Sequence, residues 1–283
     1  MEGLNVFKMA LIQLKAGSNK TINIENACRM VMEASREGAS VVVLPECFNS
    51  PYGTEYFKEY AELVEEIELG PTTLALSNIA KKAKVYLIGG SIPERSIDSQ
   101  NFYNTCTVWN RNGEMIAKHR KIHLYDVSVP GKSSFYESQV LSAGNNLTAF
   151  ETPWGKIGVG ICYDLRFPEL AMIAARKGCV AMIYPGAFNS NTYPLHWEIL
   201  LKARAIDNMI FVAGCSPARD LDFSYHAWGH STIVGPKGDI KSTCEFDETI
   251  VYSDIDLDEI SEIRTNIPIY SQRRFDLYTD ISK

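Results

Sequence analysis

The chain has 283 residues, 46% of them hydrophobic, and a formal net charge of −6 at pH 7. That length holds either two ordinary domains or one large α/β unit, with ample apolar side chains for a buried core. The acidic balance excludes a sequence-independent grip on nucleic acid or an anionic membrane, since both need a basic face, and favours a small-molecule partner.

No apolar run reaches the ~18 residues of a membrane span, and the opening MEGLNVFK lacks the basic-then-apolar order of a signal peptide. A soluble, cytoplasmic protein is expected. Seven cysteines (Cys28, Cys47, Cys106, Cys162, Cys179, Cys215 and Cys244) are odd in number, scattered, and never in a CxxC pair, so neither a disulfide framework nor a zinc knuckle fits. The five histidines also lack metal-site spacing. The nearest approach, His119 and His123 in KHRKIHLY, has no glutamate after the first histidine, and both are expected to be polar strand or loop residues.

In chain order, residues 5–13 (NVFKMALIQ) form a buried strand, and residues 23–38 a helix with Ile24, Cys28, Val31 and Met32 on its apolar face. Gly38 stops that helix. VVVLPE (41–46) is a second strand, TTLALSNIAKKAK (72–84) a second helix and VYLIGGSIP (85–93) a third strand. A hairpin over FYNTCTVWNRNGEMIAKHRK then turns at Asn112-Gly113. From residue 155 the order repeats: strand GKIGVGIC, helix FPELAMIAARKG, strand VAMIYPGA, helix HWEILLKARAIDN, strand MIFVAGCSP, and a hairpin turning at Lys237-Gly238.

Two copies of a strand-helix-strand-helix-strand unit, each with helices that must bury one face, imply a four-layer α-β-β-α sandwich. It would hold two stacked mixed sheets related by internal pseudo-symmetry. With no linker-like stretch between the halves, residues 1–258 are expected to be one domain. Residues 259–283 would form a C-terminal helix and tail that packs on a partner subunit.

Reacting groups in α/β folds cluster past the carboxyl ends of strands. Three such ends carry chemistry: Glu46 after VVVLP, Lys121 after MIAKHR and Cys162 after IGVGI. Singly, each has an ordinary reading, as a solvated charge or a small buried hydrophobe. Together they are the minimum kit for attacking an amide carbonyl. A free thiol is only a few per cent thiolate at neutral pH and needs a base, for which Glu46 serves. The tetrahedral oxyanion needs donors, which Lys121 and the backbone N–H of Tyr163 supply.

LPECFNSPYG, KHRKIHLYD and GICYDLRFPEL resemble the three signature segments of the nitrilase, or carbon-nitrogen hydrolase, superfamily, over essentially the whole chain. The resemblance implies the same glutamate, lysine and cysteine, and adds Glu137 in GKSSFYES as a second glutamate that positions the lysine and the leaving amine. It implies no cofactor or metal, and at least a homodimer. ECFNSPYGT, HLYDVSVPGK, YPGAFN and AWGHST further resemble the omega-amidase branch, whose members hydrolyse the terminal amide of 2-oxoglutaramate and 2-oxosuccinamate through a cysteine thioester. The deaminated glutathione amidase branch is the alternative within the superfamily. A non-catalytic assembly module is the alternative outside enzymes. The chain departs from the omega-amidase pattern at Asn191-Thr192-Tyr193-Pro194, over residues 220–226, and at WNRNG.

For the distal carboxylate of such a substrate, Arg166 offers a planar fork four residues past Cys162; its plain alternative is an ion pair with Asp164 or Glu169. Tyr52, Phe188 and Thr192 are further pocket candidates because their loops reach the same rim. His196-Trp197 and Trp228-Gly229-His230 are expected to pack or cap.

Overall fold

The computed structural model describes residues 5–65, 69–130, 133–191 and 195–278. The first half contains β1 (Val6–Gln13), α1 (Lys20–Arg36), β2 (Val41–Val43), α2 (Thr54–Tyr60), α3 (Pro71–Ala83), β3 (Tyr86–Ile88), β4 (Ile92–Arg95), β5 (Phe102–Trp109), β6 (Met115–Arg120), β7 (Asp126–Val129) and β8 (Ser133–Tyr136). The second contains β9 (Thr148–Thr152), β10 (Gly155–Val159), α4 (Pro168–Arg176), β11 (Cys179–Pro185), α5 (Leu195–Asn208), β12 (Phe211–Cys215), β13 (Thr232–Val234), β14 (Ile240–Thr243), β15 (Thr249–Asp256), α6 (Asp258–Asn266) and α7 (Ile269–Gln272).

One sheet runs β15-β1-β2-β3-β5-β4 with β6 added beside β5; the other runs β14-β13-β12-β11-β10-β9. Each has three parallel strands at its heart, β1-β2-β3 and β10-β11-β12, flanked by antiparallel neighbours. The four-layer, pseudo-symmetric sandwich expected from the repeat is therefore the architecture. β15 returns to pair with β1 along its whole length, from Val6 opposite Asp256 to Gln13 opposite Thr249.

Alternation along β1 and β2 builds two cores at once. Met9, Leu11, Val41 and Val43 face the second sheet, whereas Ala10, Ile12 and Val42 face Ala27, Met30 and Val31 of α1 and Leu76 and Ile79 of α3. A strand covered on both faces reads as an unbroken apolar run, which is why VVV shows no period. The Cys215 thiol crosses between the sheets, with Ile12 O at 3.3 Å and Val43 O at 3.4 Å.

Three local expectations are corrected. The buried stripe of α1 is Asn23, Ala27, Met30, Val31 and Ala34, so Ile24, Cys28 and Met32 flank it. Asn23 takes a core position because its side chain both donates to Gly17 O and accepts from Gly17 N, closing the preceding turn. The strands ahead of the reactive residues are shorter than read: β2 ends at Val43 and β10 at Val159. The run at 85–93 divides into β3 and β4 at Gly89-Gly90.

Gly90 sits at φ +61°, and a Cβ there would lie 2.2 Å from the Pro45 carbonyl oxygen, backbone that cannot give way. Gly90→Ala is therefore expected to lower unfolding free energy by about 2 kcal/mol or more and to shift the turn holding Glu46. Denaturant unfolding checks this, and a loss below about 0.5 kcal/mol contradicts it.

Candidate active site

The three reactive residues stand just beyond strands of both sheets, where the sandwich brings the ends together. Glu46 lies in a turn after β2, fixed because the Pro45 carbonyl accepts from Ser91 N (3.1 Å) and Cys47 N donates to Ser91 Oγ (3.1 Å). Lys121 follows β6 directly, its N–H donating to Asn104 O and its carbonyl accepting from Gly144 N, both at 2.8 Å. Cys162 opens a 3₁₀ turn, Cys162–Arg166, in the left-handed region at φ +46°. A non-glycine residue held there is strained by about 1–2 kcal/mol, a conformation that persists only where neighbours enforce it.

Asp164 is one enforcer. It is fully buried, accepts from Ile161 N (2.9 Å) and His123 N (2.9 Å), and meets His123 Nδ1 at 2.8 Å and His119 Nε2 at 3.2 Å. Burial alone would raise its pKa, but these bonds outweigh it and hold the carboxyl well below the usual range. Asp164 thus ties the Cys162 turn to the residues on either side of Lys121, and the two histidines are polar residues of a strand and a loop, as expected.

Lys121 is completely buried, and its Nζ donates to Glu46 Oε1 (3.0 Å) and Glu137 Oε1 (2.9 Å). Glu46 also accepts from Asn104 Nδ2 (2.9 Å) and Ala187 N (2.8 Å), and the Cys162 thiol is hydrogen-bonded to it. Glu137 accepts from the Tyr52 hydroxyl (2.6 Å) and Tyr125 N (2.7 Å). So Glu46, Lys121, Glu137 and Cys162, all picked from sequence, form one buried cluster.

Burial, with Glu137 nearby, raises the Glu46 pKa above its ordinary 4.5, although Lys121 opposes the shift. For Lys121, burial pulls the other way but the two carboxylates outweigh it, so the ammonium is held well above its usual range. Burial and Glu46 together push the Cys162 thiol well above 9.0. The cluster thus sets the Lys121 ammonium between two glutamates, beside a thiol whose proton burial and Glu46 hold in place.

Cys162, Tyr163, Arg166, Phe188, Asn189 and Tyr225 line a narrow pocket with about 10 Å³ of open space, room for one water. The Tyr163 N–H is in the first turn of the 3₁₀ segment, ahead of the first internal bond, from Asp164 N to Ile161 O. Arg166 lies over the Phe188 ring (4.8 Å) and meets His196 Nδ1 at 2.9 Å; among the described residues no ion pair joins it to Asp164 or Glu169. His196, expected to pack or cap, instead orients this guanidinium. Phe188 packs edge-on against Trp197 at 4.9 Å. Tyr52 stands behind the pocket, against Glu137, and Thr192 lies outside the described residues.

A profile described as carbon-nitrogen hydrolase matches residues 8–265. The chain belongs to the carbon-nitrogen hydrolase family. Among relatives of this hydrolase, omega-amidase NIT2 of Mus musculus is 54% identical over 280 residues, covering 99% of each chain. Omega-amidase NIT2 of Homo sapiens is 53% identical over 272 residues, 96% of each. Of solved structures, Nit3 of Saccharomyces cerevisiae, a nitrilase-superfamily member, superposes at TM-score 0.89 with 45% identity over 95% of this chain and 97% of that one. The NitFhit protein of C. elegans gives 0.86 with 28% identity, over 98% of this hydrolase and 67% of its own chain.

Sequence reasoning missed Asn104, whose amide lies within the hairpin strand FYNTCTVW, and the backbone donors Ala187 N and Tyr125 N, because a peptide N–H carries no residue signature. Tyr225 had a trace of a signal, since residues 220–226 depart from the omega-amidase pattern.

Lys121→Met removes the largest contribution that lowers the Glu46 pKa, so the acid limb of kcat/KM, which follows ionisation of the base, should move to higher pH. On folded protein kcat should also fall about 10²-fold or more through loss of an oxyanion donor. Near-normal kcat, or a limb that stays or moves down, contradicts both roles.

Proposed function

We propose that this chain is an omega-amidase, converting 2-oxo dicarboxylic monoamides such as 2-oxoglutaramate and 2-oxosuccinamate to the oxo acid and ammonia. The observation that carries this reading is that Arg166 and Cys162 open onto the same small pocket, a carboxylate-matching fork beside a thiol. The omega-amidases among its full-length relatives support it.

In the proposed mechanism Glu46 takes the Cys162 proton as sulfur bonds to the amide carbon. Lys121 and the Tyr163 N–H hold the oxyanion, and Glu137 keeps Lys121 aimed. Glu46 returns the proton to nitrogen, the C–N bond breaks and ammonia leaves a thioester. Water then gives its proton to Glu46 as its oxygen bonds to the acyl carbon, and the C–S bond breaks with the proton returned to sulfur. The net reaction is amide plus water to acid plus ammonia, and no step calls for a cofactor or metal. Contact among all four reactive side chains argues against a non-catalytic module.

The described residues contain no helix long and apolar enough to cross a membrane. Seven free cysteines support a reducing compartment, and we place the protein in the cytoplasm. We also propose a homodimer, with residues 1–258 as the hydrolase domain and 259–283 joining the subunit contact. Exposed Leu195, Ile199 and Ile206 on one stripe of α5 support this, as do exposed Phe275 and Leu277 in the tail.

Ammonia release should be fast with 2-oxosuccinamate, much slower with deaminated glutathione and absent with a plain nitrile; the reverse order overturns the substrate assignment. Arg166→Met should lose about 10²-fold or more in kcat/KM on 2-oxosuccinamate, roughly 2.7 kcal/mol, yet scarcely change a neutral-ester analogue. Equal losses on both, in folded protein, would make Arg166 structural.

A further inference from the structure

A second cavity borders the ion cluster, with about 40 Å³ of open space, room enough for water, lined by Glu46, Ser50, Tyr52, Asp220 and Phe223 among others. It touches Glu46 but not Cys162, whereas the front pocket touches Cys162 but not Glu46. The base and the nucleophile therefore open onto different spaces. Their shared wall is Ala187 and Tyr225. The Ala187 peptide pins this wall to the base, donating its N–H to Glu46 Oε2 at 2.8 Å while its carbonyl accepts from the Tyr225 hydroxyl. The Tyr225 ring closes against Tyr52 at 4.4 Å.

Ser50 is 1% exposed, and among the described residues its hydroxyl has no hydrogen-bond partner. An orphaned buried hydroxyl costs about 1–3 kcal/mol unless water satisfies it, and this one borders a cavity with a carboxylate for the water's second bond.

The reaction itself creates a traffic problem. Once sulfur holds the acyl group, the rest of the substrate fills the front pocket, with its carboxylate at Arg166. Ammonia must still leave, and a water oxygen must still reach the acyl carbon while its proton passes to Glu46. We propose that the rear cavity is the port for both: ammonia departs past Glu46 into it, and the hydrolytic water enters through it from a position held by Ser50 Oγ. Asp220 and the faces of Tyr52, Tyr225 and Phe223 suit the small ammonium cation that forms as ammonia takes up a proton on the way out.

This rests on the thioester reading above, and the test separates the two. Half-buried Ala16 lines only the rear cavity, so Ala16→Trp obstructs the port without entering the front pocket. Ser50→Ala removes an unpartnered hydroxyl, which for a merely structural residue is neutral or stabilising. With 2-oxosuccinamate, Ala16→Trp should lower kcat at least about tenfold and Ser50→Ala about threefold or more. In both, the fraction of enzyme carrying an acyl group on Cys162, read by intact mass after rapid quench, should rise above the unaltered enzyme's. Unchanged kcat and acyl fraction in folded Ser50→Ala and Ala16→Trp overturn the port while leaving the thioester standing. No acyl group on Cys162 in any of the three proteins overturns the thioester and the port together.

Discussion

The site depends on one ammonium, that of Lys121, buried between Glu46 and Glu137 at 3.0 and 2.9 Å. At an effective dielectric near 20 each contact contributes about 5–6 kcal/mol of Coulomb attraction, against several kcal/mol of lost hydration for each ion. The pairs alone barely offset that loss. What tips the balance is that every carboxylate oxygen has a further partner: Asn104, Ala187 N, Tyr52 or Tyr125 N. These donors come from β5, the loop after β11, the segment before α2 and the chain leading into β7. The whole sandwich is thus needed to keep three charges dry in one place.

That arrangement also decides the state of the thiol. Burial, reinforced by Glu46 and opposed by Lys121, holds the proton on the Cys162 sulfur. Papain-like sites make a standing thiolate with a cationic partner. In the proposed mechanism the thiol is hydrogen-bonded to the group that takes its proton, and transfer accompanies attack. A buried glutamate with a raised pKa is matched to that proposed work, in which it also gives the proton back to nitrogen.

Much of this was legible in the sequence, for identifiable reasons. The repeated strand-helix order gave the layers because each helix had one face to bury. Glu46, Lys121 and Cys162 stood out because strand ends converge in such folds, and Glu137 came through resemblance alone. The strand bounds were misread because an apolar run buried on both faces has no period to mark its end. Only Pro45 and the left-handed Cys162 show where VVVLPE and GKIGVGIC leave their sheets. The α1 face was misassigned because a polar Asn23 occupies the core, paired with a backbone turn outside the helix. His196 and Tyr225 belong to the site through long-range packing that no local pattern encodes.

The account's central claim is that Cys162 rests as a thiol governed by the shared ammonium and its two carboxylates. Ultraviolet thiolate absorbance, titrated on the unaltered protein and on Cys162→Ala, tests it most directly. The difference between the two curves should show no thiolate step below pH 9.0, because burial and Glu46 hold the Cys162 proton in place. A step at about pH 7 or lower, the range of thiols activated by a cationic neighbour, would mean a preformed thiolate and would contradict the account.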